Sequence, residues 1–168
     1  MRPKTTCPSE LGTLMVGLLR DLPSYANRVA HRSLGLNEDV AGFGTILVAG
    51  QAELAPLDLS ALTFSEPAIS SSEPIHQAFF TTLERQYTTT DYVHLEQYHW
   101  LFLTKAEDGW RLVLIFSRTA VDEPAARPPT SPRENSDGIV GQAVRLWLRD
   151  CRAGAIYPIV PTEAGMGR

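Results

Sequence analysis

The stretch Val93-His94-Leu95-Glu96-Gln97-Tyr98-His99-Trp100-Leu101-Phe102-Leu103-Thr104 decides the fold class, together with Trp110-Arg111-Leu112-Val113-Leu114-Ile115-Phe116-Ser117-Arg118. Both segments are rich in aromatic and β-branched residues and read as strands with a side-chain period of two. In the first, Leu95, Gln97, His99, Leu101 and Leu103 share one face. His94, Glu96, Tyr98, Trp100, Phe102 and Thr104 share the other. In the second, strict alternation sets Trp110, Leu112, Leu114 and Phe116 against Arg111, Val113, Ile115 and Ser117. The polar stretch Lys105-Ala106-Glu107-Asp108-Gly109 between them ends in Asp-Gly, a hairpin signal. Near this turn both strands are apolar on both faces. The sheet is therefore expected to be covered on both sides there, or covered on one side and used for binding on the other.

Working outward, His76 to Tyr87 alternates Phe79, Thr81, Leu83 and Tyr87 against Phe80, Thr82, Glu84 and Gln86, a further strand. Phe43 to Leu54 contains the short β-type run Ile46-Leu47-Val48-Ala49-Gly50. Residues 55–74, rich in Ser, Pro and Ala, read as a loop lying over the core through Leu57, Leu59, Leu62 and Phe64.

Helices flank the sheet. Ser9 is placed to cap one in which Leu11, Leu14, Met15, Leu18, Leu19 and Leu22 form a stripe at helical period. Pro23 predicts a break and a second helix capped by Asp21, with Tyr25, Ala26 and Val29 inward, ending near Gly35. After the Pro-, Ala- and Arg-rich stretch 119–135, Ser136 is the expected cap of a last helix. Its buried stripe is Val140, Ala143, Val144, Trp147, Leu148 and Cys151, with Gly154 at its C-terminal end. The expectation is one α+β domain over 7–155: N-terminal helices, a sheet of about four antiparallel strands and a C-terminal helix packed on it. An exposed flexible loop at 120–135 and a loose tail at 156–168 complete it. A helix followed by such a sheet resembles the cystatin-like or NTF2-like shape, an analogy that carries no function.

Composition narrows the function classes. With 43% hydrophobic and 20% charged residues in 168, one globular core is expected and global disorder is not. A net charge of −4 opposes a general nucleic-acid binder. No apolar run is long enough to span a bilayer, and no long apolar segment follows the basic start at Met1-Arg2-Pro3-Lys4. As written, the chain reads as cytoplasmic. A start assigned too late would hide an export signal, and the periplasm or thylakoid lumen is the alternative. Cys7 and Cys151 lack CxxC spacing, which argues against zinc. In a reducing compartment they are expected to be two thiols; in an oxidising one a bridge between them would tie the N-terminal segment to the last helix, and nothing local in the sequence fixes where Cys7 goes.

Motifs with chemistry are sparse. On a strand, His94 and Glu96 share a face while His99 points away, so the three do not form a metal cluster, and no zincin spacing is present. No GxSxG elbow supports a nucleophilic serine with His76 or His31. Cys151 falls on a buried stripe, where thiols are inert. Gly42-Phe43-Gly44 is too short for a phosphate loop. No metal or cofactor is expected. Tyr87, Tyr92, Tyr98, Trp100 and Trp110 either line a groove or pack the sheet.

Four segments taken together resemble an uncharacterised group of small cyanobacterial proteins. They are Leu19-Arg20-Asp21-Leu22-Pro23-Ser24-Tyr25-Ala26-Asn27-Arg28-Val29, Phe79-Phe80-Thr81-Thr82-Leu83-Glu84-Arg85-Gln86-Tyr87, Tyr98 to Thr104 with Gly109-Trp110-Arg111-Leu112, and Ser136-Asp137-Gly138 running to Leu146-Trp147-Leu148-Arg149-Asp150-Cys151-Arg152. The resemblance implies a photosynthetic bacterial source and no activity or cofactor. If that group is exported, it also implies the Cys7–Cys151 bridge. The leading expectation is a non-catalytic binding or assembly factor that docks a protein partner, since aromatic and arginine residues make good interface anchors. The competing expectation is a small-ligand pocket or weak enzyme on the concave sheet face, lined by His94, Glu96, Tyr98 and Trp100.

Overall fold

The computed structural model describes residues 4–34, 46–54, 74–87, 91–121 and 130–160. The elements run α1 (Leu11–Leu34), β1 (Ile46–Glu53), β2 (Ile75–Tyr87), β3 (Tyr92–Ala106), β4 (Gly109–Val121), β5 (Arg133–Glu134) and α2 (Ile139–Arg152). The strands form one antiparallel meander in the order β1-β2-β3-β4-β5, so each pairs with its neighbours in sequence. This is the expected α+β class, with a two-residue fifth strand.

Both helices cover one face of the sheet, the inner face. Ala78 and Phe80 from β2, Leu101 and Leu103 from β3, and Trp110 and Ile115 from β4 share a core with both helices. From α1 come Leu14, Met15, Leu18, Leu22, Ala26 and Val29; from α2 come Val140, Ala143, Val144, Trp147, Leu148 and Cys151. The alternation expected for β2 and β3 holds throughout their described side chains. That expected for β4 fails beyond Leu112. Leu112 pairs with Leu103 and Leu114 with Phe102, so Val113 is an extra residue in a β-bulge and stands exposed. A bulge advances one strand by a residue and reverses the phase of everything after it. Trp110 and Leu112 therefore share the inner face with Ile115 and Ser117, while Leu114 and Phe116 turn outward.

The predicted helix break at Pro23 does not occur, and α1 is continuous with Pro23 inside it. A proline in a helix interior removes one hydrogen bond and costs about 3 kcal/mol. Here Leu18 and Leu22 before it, and Ala26, Val29 and Ala30 after it, lie on one buried stripe. Starting a second helix on a new axis would expose part of that stripe. Asp21, the expected cap, instead accepts hydrogen bonds from the Trp147 indole (2.9 Å) and from Arg20. The Tyr25 hydroxyl donates to Asp150 (2.7 Å), and burial with this bond pushes its pKa up to about 12.

The start of α2 also differs from expectation. Gly138 is the N-cap, without a side-chain cap bond, and the Ser136 hydroxyl accepts the Ile115 amide at 3.1 Å instead. Ser136 thereby joins β4 to the chain entering α2. The end of α2 is as expected. Gly154 takes φ +71°, its amide bonds the Cys151 carbonyl, and the Ala155 amide bonds that of Asp150. This is the paired closure of a Schellman motif. The hairpin turn lies at Glu107–Asp108, with Gly109 opening β4 at φ +129°.

Two segments expected to be loose are anchored where they are described. Arg133–Glu134 pairs with Ser117 and Phe116, and the Thr130 amide bonds the Thr119 carbonyl. Ile156 is buried, Ile159 packs over Gly17, and Arg20 bonds the carbonyls of Tyr157 and Pro158. A Cβ on Gly17 would meet Cδ1 and Cγ1 of Ile159, so the glycine lets the Ile159 side chain lie against the α1 backbone, and a larger residue there would make that side chain shift. The loop expected to lie over the core at 55–74 falls, but for Pro74, outside the described residues.

Cys7 and Cys151 are bridged, with Cα atoms 5.1 Å apart. The Thr5 amide bonds the Gly154 carbonyl beside the bridge, so the N-terminal segment is held against the end of α2. Closing a loop across 144 residues of sequence stabilises by about 5 kcal/mol in the chain-entropy picture. Thiol titration of unreduced, denatured protein is expected to find no free thiol among the two cysteines. Reduction is expected to lower the urea midpoint substantially; two free thiols, or an unchanged midpoint, would contradict the bridge.

Trp147 is fully buried and its N–H is satisfied by Asp21. Replacing Trp147 by Ala is expected to cost about 3–5 kcal/mol, read from urea unfolding. A change within measurement error would mean that the indole does not anchor α2.

Candidate functional site

The two faces of the sheet carry different chemistry. On the inner face, beyond the apolar core, buried polar residues gather on the three central strands. Thr82, Glu84, His99 and Ser117 are all buried. His99 Nε2 lies 2.9 Å from Thr82 Oγ1, and Nδ1 lies 2.7 Å from Ser117 Oγ. One ring nitrogen donates to a hydroxyl and the other accepts from one, so the imidazole joins β2, β3 and β4. Next to it the Gln97 amide donates to Glu84 Oε2 at 2.8 Å. Burial pushes the His99 pKa down to about 3, so the ring is neutral. With both nitrogens engaged, His99 has none left to take a proton from a third group. The arrangement is a polar clasp across three strands. Alternation placed His99 on this face, but the hydroxyls that meet it come from other strands and only the register brings them together.

The four residues singled out as a binding face, His94, Glu96, Tyr98 and Trp100, occupy successive outward positions of β3 on the outer face, opposite both helices. They belong to cross-strand rows. Phe79, Trp100 and Phe116 are in register across β2, β3 and β4, and Thr81, Tyr98 and Arg118 form the next row. Leu83 pairs with Glu96, and Arg85 with His94. Phe79 contacts both neighbouring aromatics, at 5.2 Å from the Trp100 ring and stacked at 6.2 Å on that of Tyr98. Phe102 meets Phe116 edge-on at 6.1 Å. Arg118 sits 6.0 Å from the Tyr98 ring, and its buried Nε has no hydrogen-bond partner among the described residues. Burial, and a hydrogen bond to Glu96, raise the Tyr98 pKa.

The four do not converge on one cavity. His94 and Glu96 line a depression of about 320 Å³ with Leu47, Leu83 and Arg85; Tyr98 and Trp100 lie outside it. His94 accepts from Arg85 Nε at 3.2 Å, and Arg85 also lies over the Tyr92 ring. Trp110, grouped with these aromatics from the sequence, is on the inner face instead, edge-on to His76. The side chain of Tyr87 is outside the described residues. Among the described residues no three His, Cys, Asp or Glu side chains gather closely enough to hold a metal ion, and no helix is long and apolar enough to cross a membrane. Sequence reading missed Phe79, Phe116 and Arg118 as members of the outer face. Phe79 was legible from β2 alternation, whereas Phe116 and Arg118 required the bulge at Val113. Compared with known proteins, the chain matches no family profile, no curated protein and no solved structure.

The His99 clasp generates a pH dependence. An unfolded histidine titrates near ~6.5, and the folded His99 near about 3. The folded state therefore refuses a proton that the unfolded chain accepts. The contribution of His99 is complete above pH ~6.5 and falls as pH drops toward ~3, by up to about 1.4 kcal/mol per pH unit. Urea midpoints measured between about pH 7 and pH 5, above most carboxylate titration, are expected to fall with pH. In His99→Leu the curve over that interval should be flatter, whatever the variant's absolute stability. Parallel curves would show that His99 is not the group responsible.

Proposed function

We propose that this protein is a non-catalytic binding or assembly factor that docks a protein partner on the outer face of its sheet. The observation that carries the reading is the row Phe79, Trp100 and Phe116 flanked by Tyr98 and Arg118, on the side away from both helices. Aromatic rings supply large apolar area at little rotamer cost, and arginine adds directional hydrogen bonding; these are the residue types that dominate interface energetics. The rings also contact one another, so little ordering is left to be done on binding. Arg118, in the row beside the aromatic one, sets a guanidinium at the edge of the patch, which suits a partner with a carboxylate there. The arrangement of helix and antiparallel sheet resembles the cystatin-like or NTF2-like shape, which supports a binding role only by analogy. The resemblance to cyanobacterial proteins points to a photosynthetic bacterium as the source.

A second reading, a small-ligand site, has one observation in its favour: the depression of about 320 Å³ beside His94, Glu96 and Arg85. Its size is at the low end for organic ligands. Tyr98 and Trp100 stand outside it, so the two readings predict different residues.

Affinity capture should be run with wild-type, Trp100→Ala, Arg118→Ala and His94→Ala proteins, each checked for an unchanged fold. Under the docking reading, Trp100→Ala and Arg118→Ala weaken the captured partner by about tenfold or more, as interface anchors do, while His94→Ala has little effect. A partner held undiminished by both, or the absence of any partner, would overturn the proposal. Loss confined to His94→Ala would favour the ligand site.

A further inference from the structure

The helix layer has a charge opposite to that of the chain. The chain carries −4 at pH 7. Yet α1 and α2 together hold six arginines (Arg20, Arg28, Arg32, Arg145, Arg149 and Arg152) and two carboxylates, Asp21 and Asp150. Both carboxylates are already engaged. Asp21 accepts from Trp147 and Arg20; Asp150 accepts from the Tyr25 hydroxyl at 2.7 Å and from Arg149 at 2.8 Å. Arg145 and Arg152 face Arg111 in one depression, where Arg145 and Arg111 are paired with Asp137 and Asp108. Arg28, Arg32 and Arg149 meet in a notch of about 40 Å³ where Tyr25, Arg28 and Arg32 of α1 face Leu146, Arg149 and Asp150 of α2. Arg28 is oriented there by a bond from Nε to the Ser24 carbonyl and by the Tyr25 ring 4.3 Å beneath its guanidinium. Among the described residues neither Arg28 nor Arg32 is paired with a carboxylate.

We propose that this notch is an oxyanion site for a phosphate-type dianion, either a free ion or a phosphate monoester. Charge balance selects the dianion. Three guanidinium groups meet one carboxylate, leaving two positive charges, and a phosphate monoester carries about −1.5 to −2 at neutral pH. A chloride or a single carboxylate would neutralise half of that. Geometry agrees. Arg28 and Arg32 approach from α1 with terminal guanidinium nitrogens not bonded to a carboxylate among the described residues. Arg149, whose Nε and Nη2 donate to Asp150 Oδ1, has Nη1 left to meet a further oxygen of a tetrahedral anion from α2. The small volume admits one oxyanion group and excludes a nucleotide base from the notch itself. Clustering like charges on a folded surface costs stability unless a counter-charge arrives. Asp150, held by the Tyr25 hydroxyl, in turn holds Arg149 through bonds from Nε and Nη2 to Oδ1. The site lies on the helix layer, on the other side of the sheet from the aromatic face, so it does not rest on the docking proposal.

The test is a titration of the full chain with inorganic phosphate at constant ionic strength, with chloride as the replacement ion. Arginine Nε–Hε resonances are the readout. Saturable shifts are expected at Arg28, Arg32 and Arg149, with a dissociation constant of about millimolar order. Arg28→Gln with Arg32→Gln should weaken binding by about tenfold or more, and Arg111→Gln on the distant hairpin should leave it unchanged. Arg32 is exposed and makes no structural bond among the described residues, so Arg32→Gln alone keeps the test valid if the double variant is unstable. Linear shifts that never saturate, or equal affinity in the variants, would overturn the site. A phosphoserine peptide distinguishes the sources. Tighter binding than inorganic phosphate assigns the dianion to a modified protein, and equal binding assigns it to the free ion.

Discussion

Trp147 brings the largest side chain of α2 into the centre of the core with no solvent exposure, and its N–H still finds an acceptor in Asp21. Much of the structure depends on that pairing. A buried indole with an unmet donor would lose part of what its apolar area gains. The bond also fixes where along α1 the second helix can sit. Tyr25 and Asp150 add a second tie between the same helices, and Gly17 lets Ile159 and Trp147 approach the α1 backbone. The continuity of α1 through Pro23 follows from this arrangement. Asp21 and Tyr25 lie on either side of the proline, and both must present to α2 at once.

With the helices committed to one face, the sheet acquires two unlike surfaces. The inner face is apolar where the helices pack and polar further along. There Thr82, His99 and Ser117 satisfy one another in a buried site. Such a cluster gives little net stability, because the hydrogen bonds mainly offset desolvation. Its consequence is specificity of register, since a slip of β2 or β4 by one residue would turn Thr82 or Ser117 to the other face and leave one ring nitrogen of His99 without its partner. The outer face is aromatic and arginine-bearing. It owes its composition to the bulge at Val113, which turns Phe116 and Arg118 toward Trp100 and Tyr98 and sends Ile115 and Ser117 inward.

The two terminal segments close the structure. The Cys7–Cys151 bridge, the Thr5–Gly154 backbone bond and the packing of Ile156 gather both segments at the C-terminal end of α2. Arg152 extends from the same place to the Trp110 carbonyl at 2.6 Å, joining that end of the helix to the β3–β4 hairpin. The bridge thus acts on a point where helix, hairpin and terminal segments meet. That placement links stability to thiol oxidation more directly than a bridge on a loose arm would.

Local periodicity was enough to read most of the elements and most of their faces. The stripes of α1 and α2, the alternation of β2 and β3 and the glycine at the end of α2 depend on near neighbours, and near neighbours are written in the chain. Cys7 and Cys151 were readable as a candidate pair but not as a pair, because nothing near Cys7 says where that segment goes. Pro23 misled for a related reason: its cost is local and visible, whereas the burial of Leu22, Ala26 and Val29 that outweighs it is tertiary. Ser136 is a good cap by type, but it lies next to a β4 amide that no window of sequence reveals. The bulge at Val113 is a matter of register between strands, and from it follow the membership of the outer aromatic face and the partners of His99. Arg133 and Glu134 read as part of a loop because two residues of strand carry almost no periodic signal. The functional residues were therefore nameable singly along β3, while their company across β2 and β4 came from pairing energies that act between strands.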